Sequence, residues 1–595
     1  MCKTLKILNL SCLAFCALFS FLQIPTAVDL SFSAIWFALV FTAVLGYFAF
    51  YTLQLKSNPR FYKVANKLYE YVPYFYLIVF VLRRSGKNST SFAYDIICVI
   101  VWIIVSVLSF VVSRYFLSDK YFYKKNTGFK KPVVHKKTLG KKAAKEGLEW
   151  IDAFVQAVFA IILLNIFIFQ LYVIPSESMV DEFLVGDRVL VFKISSGPKF
   201  PMTKVGLKDF KKYERGDITV FHNPQYPDTK QKELKNFYSQ IVFMLTLTKV
   251  NLNTDEFGNP MADPLVKRVC AVGGEQLVML DGVLYRRTKD HPDFEPVKED
   301  SKWANWNLNE LPGATKARVK FIPFTQKQYE SLLETENDRR NFDINSFASE
   351  AQLLSNRFSH IASQSTAQKS QKLRSDDVKK LLSDEQRDVY NLFSDNESVV
   401  NLLLSSPYAS AWFDAFMTDW ISSTPSSVLS GKELYGGDMY SDSLFRMNLM
   451  IKQCFAKLII ANSKAILSGN RDAIWEMSEE RKSLYSQIDK LTLYMALNDS
   501  RNMMVFPPNA EDGNPTYIPE GSYFMMGDNR FNSLDMRHTY KSYRTSLMDS
   551  DDYSVTYSSM LEPKYVSHTQ MLGSPCFRIF PFNRMGPVHS MRAKN

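Results

Sequence analysis

The sequence predicts a membrane protein in which several N-terminal transmembrane helices precede a mainly antiparallel β domain, and a large α-helical insertion interrupts that domain. Three observations support this prediction. Long stretches without a charged residue are confined to the first 175 positions. Short runs of β-branched and aromatic residues follow them, as is typical of strands. Between about residues 326 and 503, apolar residues recur at helical spacing instead.

The composition excludes several classes of protein. With 595 residues, of which 14% are aromatic and 22% charged, the chain is neither disordered nor a single small domain. Its seven cysteines form no CxxC pair and its seven histidines no HExxH motif. The sequence therefore predicts no disulfide framework, no metal site and no cofactor. Excess positive charge lies beside apolar stretches, which favours a membrane surface over nucleic acid as partner.

Charge-free stretches predict the transmembrane helices. A helix needs ~20 apolar residues to cross a bilayer. Four stretches reach that range, and these are 7–28, 30–55, 96–113 and 153–174. A fifth stretch, 71–82, is short and is bounded by Glu70 and Arg83. Taken alone, it fits an interfacial or re-entrant segment.

The distribution of lysines predicts the orientation. Residues 119–150 hold ten lysines against three carboxylates, which makes this segment cytoplasmic by the positive-inside rule. Lys3 and Lys6 also keep the N-terminus inside. An even number of crossings must then separate the two, so we expect 71–82 to cross as well and everything after Ile174 to lie outside. The predicted units are an anchor at 1–118, a basic cytoplasmic loop at 119–150 and a last span at 151–174.

Residues 1–28 also fit a cleaved signal peptide, with a basic start, an apolar stretch and then Thr26-Ala27-Val28. Cleavage would leave the new end outside. The orientation of the later spans is therefore the same in both interpretations.

The part after Ile174 shows two kinds of sequence pattern. The hairpin signal at Asp281-Gly282 and the strand-like runs predict β structure in 175–325 and 504–595. Helical periodicity predicts an insertion at 326–503, with a polar connector at 363–375. We expect this insertion to be a separable lobe whose ends lie close together. An acidic run near Asp551 predicts a surface insertion at 538–576. The predicted strands are Val189–Ile194, Ile218–Phe221, Leu265–Val272, Gln276–Leu280, Val283–Arg287, Ala317–Phe324 and Tyr523–Met526.

Two constellations offer the groups of a nucleophilic site. Ser176 and Ser178 flank one residue directly after the last span, so an extended backbone places both hydroxyls on one side. Lys267 lies in an apolar strand, where burial would lower its pKa and let the neutral amine accept a proton from a serine. A polar membrane-exit loop and two solvated charges on a strand edge are the plainer interpretations of these segments.

A third constellation is the segment 523–537, which contains a Gly-Asp-Asn turn. Its acids and arginines can pair internally, and Ser533 is a spare hydroxyl. A loop held by ion pairs is the plainer interpretation. The charged residues concerned are Asp528, Arg530, Asp535 and Arg537.

Taken in order, these motifs resemble the bacterial type I signal peptidase (leader peptidase) family. The resemblance rests on Pro-Ser-x-Ser-Met, two Gly-Asp strand starts, Val-Lys-Arg-Val and Gly-Asp-Asn-Arg-x-Asn-Ser-x-Asp-x-Arg. It covers about 165–290 and 515–586, including the tail 577–586. It implies a β domain of signal-peptidase type and a membrane-bound serine endopeptidase with a Ser/Lys dyad.

The resemblance also implies a role for each matching residue. Ser178 matches the nucleophile and Lys267 the general base. Ser176 matches the hydroxyl that forms the oxyanion hole with the Ser178 backbone N–H, and Ser533 matches the hydroxyl that orients the lysine. Met179 lies by the substrate cleft. The positions of structural ion pairs are Arg268, Asp528, Asp535 and Arg537, and we expect Arg268 to face away from the site and pair with Asp528.

The implied substrates are the signal peptides of exported preproteins, with small side chains at the first and third positions before the cut. The implied location is the bacterial cytoplasmic (inner) membrane, with the site on the outer, periplasmic or extracytoplasmic side. The lipid bilayer is then a partner, the export machinery stays open as another, and nucleic acid is not expected.

Three departures from the family pattern occur, at Glu177, at Phe531 and at 272–275. None touches the dyad, so we expect an active enzyme. Two alternatives stay open: a specialised processing or self-cleaving Ser-Lys peptidase, and an inactive homologue that serves as a membrane-tethered binding module. If the lysine is not the base, the next candidates are His222, His538 and His568.

Overall fold

The fold is described from a computed structural model. It describes residues 2–24, 32–86, 90–129, 139–227, 229–246, 249–254, 261–365, 375–469 and 478–588. Most of the predicted polar connector, residues 366–374, and the centre of the predicted basic loop, residues 130–138, lie outside the described residues.

The N-terminal part is a bundle of helices. Its members are α1 (Lys3–Leu22), α2 (Phe32–Leu45, continued by a π-helical segment Gly46–Leu55), α3 (Tyr62–Arg84), α4 (Phe92–Val112), α5 (Phe122–Lys125) and α6 (Leu139–Phe167). Among the described residues, four helices are long and apolar enough to cross a membrane: Lys3–Leu22, Ala34–Leu55, Phe92–Leu117 and Lys145–Phe167.

The short predicted span 71–82 lies within α3, a helix of 23 residues. At ~1.5 Å per residue, such a helix is as long as the hydrocarbon core of a bilayer is thick. Charged and polar residues interrupt the apolar sequence of α3. Arg84 at its end forms a buried ion pair with Asp95 of α4 (2.6 Å). The five-span count therefore stays a prediction.

The predicted end of the last span is wrong. The helix α6 ends at Phe167, and the residues that follow form strand β1 (Phe169–Val173), which pairs antiparallel with β2 (Arg188–Phe192). An apolar run without charges does not distinguish the end of a membrane helix from a strand that follows directly. Phe200 fixes this junction, since its ring packs against Phe80, Trp102 and Phe167.

The part of the chain after α6 contains two sheets and a hairpin, all with antiparallel pairing. The strands after β2 are β3 (Ile218–Phe221), β4 (Leu265–Ala271), β5 (Gln276–Leu280), β6 (Val283–Arg287), β7 (Glu295–Pro296), β8 (Met503–Phe506), β9 (Ser522–Met526), β10 (His538–Ser546), β11 (Thr556–Leu561), β12 (Val566–Ser567), β13 (Met571–Phe580) and β14 (Gly586–Pro587). An eight-stranded sheet has the order β1-β2-β13-β3-β4-β9-β12, with β14 on β13, and a four-stranded sheet has the order β7-β6-β5-β8.

Most strand predictions are confirmed, and one is wrong. The hairpin β5–β6 turns at Asp281 and Gly282, which both have positive φ (52° and 79°), as a type I′ turn requires. The predicted strand Ala317–Phe324 is absent. The segment follows the helical turn α8 (Gly313–Lys316), and its backbone N–H groups at Lys320 and Phe321 donate to the carboxylate of Glu177 instead of to a strand.

The block 326–503 is helical. Its helices are α9 (Gln326–Arg340), α10 (Ile344–Ala362), α11 (Ser375–Lys379), α12 (Val389–Ser394), α13 (Asn396–Ser405), α14 (Ala409–Ser423), α15 (Ser426–Leu429), α16 (Met439–Leu467) and α17 (Glu479–Arg501), while α7 (Lys230–Leu245) precedes β4. The first and last helices of the block are adjacent, because Arg501 of α17 forms a buried ion pair with Glu336 of α9 (2.7 Å).

The expectation of a separable lobe is wrong. One continuous cluster of buried side chains joins the helices to the strands, including Trp412, Phe455, Val269, Phe524 and Tyr557. Removing the helices would therefore expose the faces of strands that they cover.

The prediction of a surface insertion at 538–576 is also wrong. The hairpin β10–β11 packs on the helical block, and β13 lies inside the large sheet between β2 and β3. Within the acidic run, the side chain of Asp551 is fully buried and accepts a hydrogen bond from the Lys452 ammonium of α16 (2.5 Å). The acid escaped recognition because its partner lies 99 residues earlier in the sequence.

Removing one partner of this pair tests the shared core. We expect Lys452→Met to destabilise the protein by about 3–5 kcal/mol, because Asp551 is left buried without its cation. The double variant Lys452→Met/Asp551→Leu should recover most of that loss. The thermal unfolding of the purified full chain provides the measurement.

Lys490→Met is the matched control. It breaks a surface pair with Glu334, which is exposed to solvent, and such pairs contribute ~0–1 kcal/mol. Equal shifts in the Lys452 and Lys490 variants would contradict a core shared between helices and hairpin.

Candidate active site

Ser178 lies in the loop that follows β1, the strand directly after α6. Its carbonyl oxygen accepts a hydrogen bond from the Asn529 backbone N–H (3.1 Å), and the Asn529 side chain donates to the Glu177 carbonyl (3.1 Å). The loop is thus attached to the turn that follows β9. Only 9% of Ser178 is exposed to solvent.

Lys267 extends from β4 to this serine. Its strand lies inside the large sheet, between β3 and β9, so that Thr219 is its neighbour on β3. The side chain is 2% exposed, and its Nζ lies 2.6 Å from the Ser178 Oγ. The structure therefore brings together two residues that are 89 positions apart in the sequence.

The surroundings of Lys267 favour the neutral amine. Burial lowers the pKa of Lys267 to about 8, with the Arg537 guanidinium acting in the same direction and the Asp535 carboxylate opposing it. A charged amine would lose hydration here without a carboxylate in direct contact. A lysine with such a pKa releases its proton near neutral pH, as a general base must.

Ser176 and Ser178 present their hydroxyls to the same side, as the extended segment predicts. The Ser176 Oγ lies 3.3 Å from the Ser178 Oγ, and Ser176 is exposed to solvent. Within the described part of the chain, the Ser178 backbone N–H donates to no acceptor. A hydroxyl and an N–H group are therefore both available beside the nucleophile.

Ser533 does not make the contact expected of it. Its side chain is buried next to Gly527 and the Ser178 carbonyl, as the surroundings of Gly527 show. Its hydroxyl has no hydrogen-bond partner among the described residues, and none joins it to the Lys267 amine. Within the described part of the chain, Ser178 is the hydrogen-bond partner of the lysine.

Two buried ion pairs lie close to Lys267 and support the segments that carry the site. Arg268, the next residue along β4, faces away from the site and binds Asp528 through two hydrogen bonds (2.7 and 2.6 Å). Arg537 binds Asp535 in the same bidentate way (2.8 and 2.9 Å), and Asp535 also accepts from the Gly527 N–H (2.9 Å). The predicted pairing of Arg268 with Asp528 is confirmed, and Asp535 and Arg537 pair within their segment as the sequence allows. The first pair fixes β4 to the loop 527–537, and the second holds that loop together.

Met179 is buried and does not line an open surface. It is 1% exposed and packs in a small apolar cluster with Tyr172, Val189 and Val220. Its side chain thus anchors the nucleophile loop to the sheet. The three histidines considered as alternative bases have other partners: His222 contacts Asp263, His538 contacts the Asp499 carbonyl, and His568 contacts Asp209.

The departures from the family pattern each have a local partner. The Glu177 carboxylate accepts the Phe321 N–H (3.2 Å). Phe531 packs edge-on against the rings of Trp306 and Phe324, with centroids 5.1 and 4.6 Å apart. Glu275, in the unusual turn, is buried and pairs with Arg215 and Arg286.

Sequence reasoning missed two supports of the site, Asp300 and Asn529. It allowed Arg530 to pair within the segment 523–537, but the fully buried Arg530 side chain pairs with Asp300 (2.6 Å) from the segment before the helical block. Asn529 holds the nucleophile loop, as described above. Asp300 carried no recognisable signal because it lies 230 positions from its partner. Within the described ranges, no three His, Cys, Asp or Glu side chains form a group that could hold a metal ion.

Comparisons with known proteins agree with the geometry. A family model described as "Signal peptidase, peptidase S26" matches residues 147–349 and 473–548. Signal peptidase I of Buchnera aphidicola subsp. Acyrthosiphon pisum is 43% identical over 77 residues, which are 13% of this chain and 24% of that protein. Signal peptidase I of Pseudomonas fluorescens is 33% identical over 157 residues, 26% of this chain and 52% of that protein.

A third relative, Signal peptidase I of Buchnera aphidicola subsp. Schizaphis graminum, is 32% identical over 126 residues, 21% of this chain and 38% of that protein. The chain therefore spans from about a quarter to about half of the length of these curated relatives. Residues 350–472, between the two ranges of the family match, belong to the helical block.

The lysine predicts a pH dependence. If neutral Lys267 is the base, activity rises as the pH rises through the pKa of its amine, which is about 8 and below the value of ~10.4 for a free lysine. We expect the ascending limb of kcat/KM near pH 8, measured on a peptide substrate. Lys267→Arg should be inactive at every pH, because a guanidinium keeps its proton. An ascending limb near the free-lysine value would identify another base.

Gly527 predicts a steric sensitivity of the site. A Cβ at this position would lie 2.5 Å from the Ser178 carbonyl oxygen and would also collide with Ser533. We expect Gly527→Ala to lower kcat by ~10²-fold, since a shift of the nucleophile by about 1 Å is enough for that loss. Gly313→Ala, where a Cβ has open space, is the control. Unchanged kcat in Gly527→Ala would contradict the tight packing of the nucleophile loop.

Proposed function

Because the chain belongs to the signal peptidase (peptidase S26) family, we propose that it is a membrane-bound serine endopeptidase that removes signal peptides from exported preproteins. Ser178 is the nucleophile and Lys267 the general base. The observation that carries the proposal is the distance of 2.6 Å between the Lys267 Nζ and the Ser178 Oγ in a buried environment.

The first step is acylation. Neutral Lys267 takes the proton of the Ser178 hydroxyl while Oγ attacks the carbonyl carbon of the scissile bond. The negative charge that develops on the carbonyl oxygen is stabilised by the Ser176 hydroxyl and the Ser178 backbone N–H. The protonated lysine then gives its proton to the leaving amine, and the new N-terminus of the mature protein departs.

The second step is deacylation. Lys267, again neutral, takes a proton from a water molecule that attacks the acyl ester on Ser178. The oxyanion is stabilised by the same two donors. Proton transfer from the lysine to Ser178 restores the hydroxyl, and the cleaved signal peptide is released with a free carboxylate.

The position of the dyad favours signal peptides as substrates. The apolar helix α6 ends at Phe167, only 11 positions before Ser178 in the sequence. A preprotein held in the bilayer by its apolar signal segment would therefore present its cleavage site beside Ser178. The specificity for small residues before the cut, the contact with the export machinery and the outer-face location follow from the family relationship and belong to the proposal.

Removing the nucleophile tests the chemistry. Ser178→Ala should abolish cleavage of a preprotein without impairing membrane insertion, whereas Ser176→Ala should lower the rate by ~10²–10³, the usual effect of losing one oxyanion donor. Sequencing of the new N-terminus of the product gives the cleavage position. Ser301→Ala, at an exposed serine, is the control. Full activity in Ser178→Ala would refute the assignment.

Cysteine labelling tests the orientation. A membrane-impermeant reagent should reach Asn514→Cys from outside and Gly140→Cys only from the cytoplasm, because five spans place these positions on opposite sides. The unchanged chain, whose Cys2 and Cys576 are half-buried, gives the background. Labelling of Gly140→Cys from outside would overturn the five-span count and the outer-face location.

A further inference from the structure

A cavity of about 200 Å³ lies where the last apolar helix meets the outer domain. Its walls come from the last turns of α6, from α7 and from the edge of the large sheet. Apolar side chains form one side of it: Ile162 and Ile166 of α6, Phe237 and Ile241 of α7, and Leu572 of β13. The proposed mechanism makes no use of this cavity.

Helix α7 lies at the level where α3 and α6 end. The Lys230 ammonium donates a hydrogen bond to the Gly86 carbonyl, two residues beyond α3. The first half of α7 is rich in lysine, and the helix and the segment after it expose apolar side chains. These are Tyr238, Leu245, Val250 and Leu252, which are 41–50% exposed. Basic and exposed apolar residues together are typical of a helix at a membrane surface.

Lys193 brings an uncompensated charge into the cavity. Its ammonium donates to the Asn165 carbonyl at the end of α6 (3.3 Å) and to the Gln170 Oε1 (3.0 Å), which are both neutral acceptors. Among the described residues, no carboxylate lies within ion-pair distance of it. Burial lowers the pKa of Lys193 to about 8, so the charged form still predominates at pH 7.

Lys199, Lys232, His222 and Glu233 also line the cavity, and Lys232 differs from Lys193 in having a carboxylate partner. Lys232 pairs with the buried carboxylate of Asp263 (2.9 Å), which also contacts His222. An ammonium has three donors, and Lys193 uses two of them within the protein. One donor and one positive charge therefore remain for an anionic acceptor inside the cavity.

We propose that this cavity binds the anionic phosphodiester headgroup of a membrane phospholipid. A phosphate oxygen accepts the third hydrogen bond of Lys193, and the acyl chains follow the apolar side chains of Ile162 and Ile166 along α6. This inference rests on the proposed membrane location of the chain. It gives α7 the role of holding the outer domain against the bilayer surface.

The chemistry of the cavity favours a lipid over a peptide segment. A phosphodiester offers acceptors for the third donor of Lys193 and for the buried Tyr172 hydroxyl, which lines the same cavity without a hydrogen-bond partner among the described residues. Apolar walls that continue along the last turns of α6 fit acyl chains, which lie beside a transmembrane helix in any case. Anionic lipids attract basic segments at the membrane surface in the same way.

Lipid retention by the full-length protein tests the proposal. The protein is reconstituted into nanodiscs of phosphatidylcholine with or without phosphatidylglycerol, and the lipids retained after detergent extraction are counted by native mass spectrometry. We expect the unchanged chain to retain phosphatidylglycerol, and Lys193→Met to retain about tenfold less, the loss typical of one charge-assisted hydrogen bond. Lys541→Met, at an exposed lysine of β10, should behave like the unchanged chain.

Further measurements distinguish a membrane lipid from a free phosphodiester as the ligand. Water-soluble glycerophosphoglycerol, the headgroup without chains, should not displace the lipid, and equal binding of this compound would indicate a site for a free phosphodiester. The choline of phosphatidylcholine would place a second cation beside Lys193, so retention of both lipids to the same extent would overturn the proposal, as would unchanged retention in Lys193→Met. Ile241→Glu, which places a carboxylate in the cavity, should also reduce retention and serves if Lys193→Met does not fold.

Cleavage of a soluble peptide, measured on each variant, keeps this test independent of the proposed function. Lys193→Met should keep kcat and KM for that peptide, because Lys193 makes no contact with Ser178 or Lys267. A raised KM for a signal-peptide substrate with unchanged lipid retention would assign the cavity to the substrate instead. If the unchanged chain cleaves nothing but still selects phosphatidylglycerol, the peptidase assignment fails and the lipid site stands.

Discussion

The site depends on one contact, between the Lys267 amine and the Ser178 hydroxyl, in a place that water does not reach freely. Burying a lysine is unfavourable for its charged form, and among the described residues no carboxylate in direct contact offsets that cost. The same burial lowers the pKa of the amine to about 8, as the proposed role of general base requires. The rest of the domain must therefore keep this lysine buried and still hold it within 2.6 Å of the serine.

The buried ion pairs meet both requirements. Lys267 and Arg268 are consecutive on β4, so their side chains leave the strand on opposite faces. The bidentate bond of Arg268 to Asp528 fixes the strand and the turn after β9, and the Asn529 N–H of the same turn holds the Ser178 carbonyl. Removing Asp528 would leave a buried guanidinium without its partner, and it would also free the turn that positions the nucleophile.

Local signals and distant contacts explain which predictions succeeded. The hairpin β5–β6 was predictable because Asp281-Gly282 determines its turn within four residues, whereas the contact between Ser178 and Lys267, 89 positions apart, was expected from the family resemblance of their motifs. The end of the last span was not predictable, since Phe169–Val173 is as apolar as the helix before it and only its pairing with β2 makes it a strand. The buried state of Asp551 depends on Lys452, and that of Arg530 on Asp300, so no local pattern contains either.

The helical block reaches the loop 527–537 through Trp306, which precedes the block in the sequence. The Arg501 guanidinium, at the end of α17, lies over the Trp306 ring (4.7 Å), and this ring packs edge-on against Phe531 within the loop 527–537. Arg501 also donates to the Asp281 carbonyl in the β5–β6 turn (2.6 Å). An apolar ring at position 531 fills the space between Trp306 and Phe324, where a carboxylate would be buried among aromatic side chains at high cost. Phe531, a departure from the family pattern, therefore matches the aromatic side chains that surround this position.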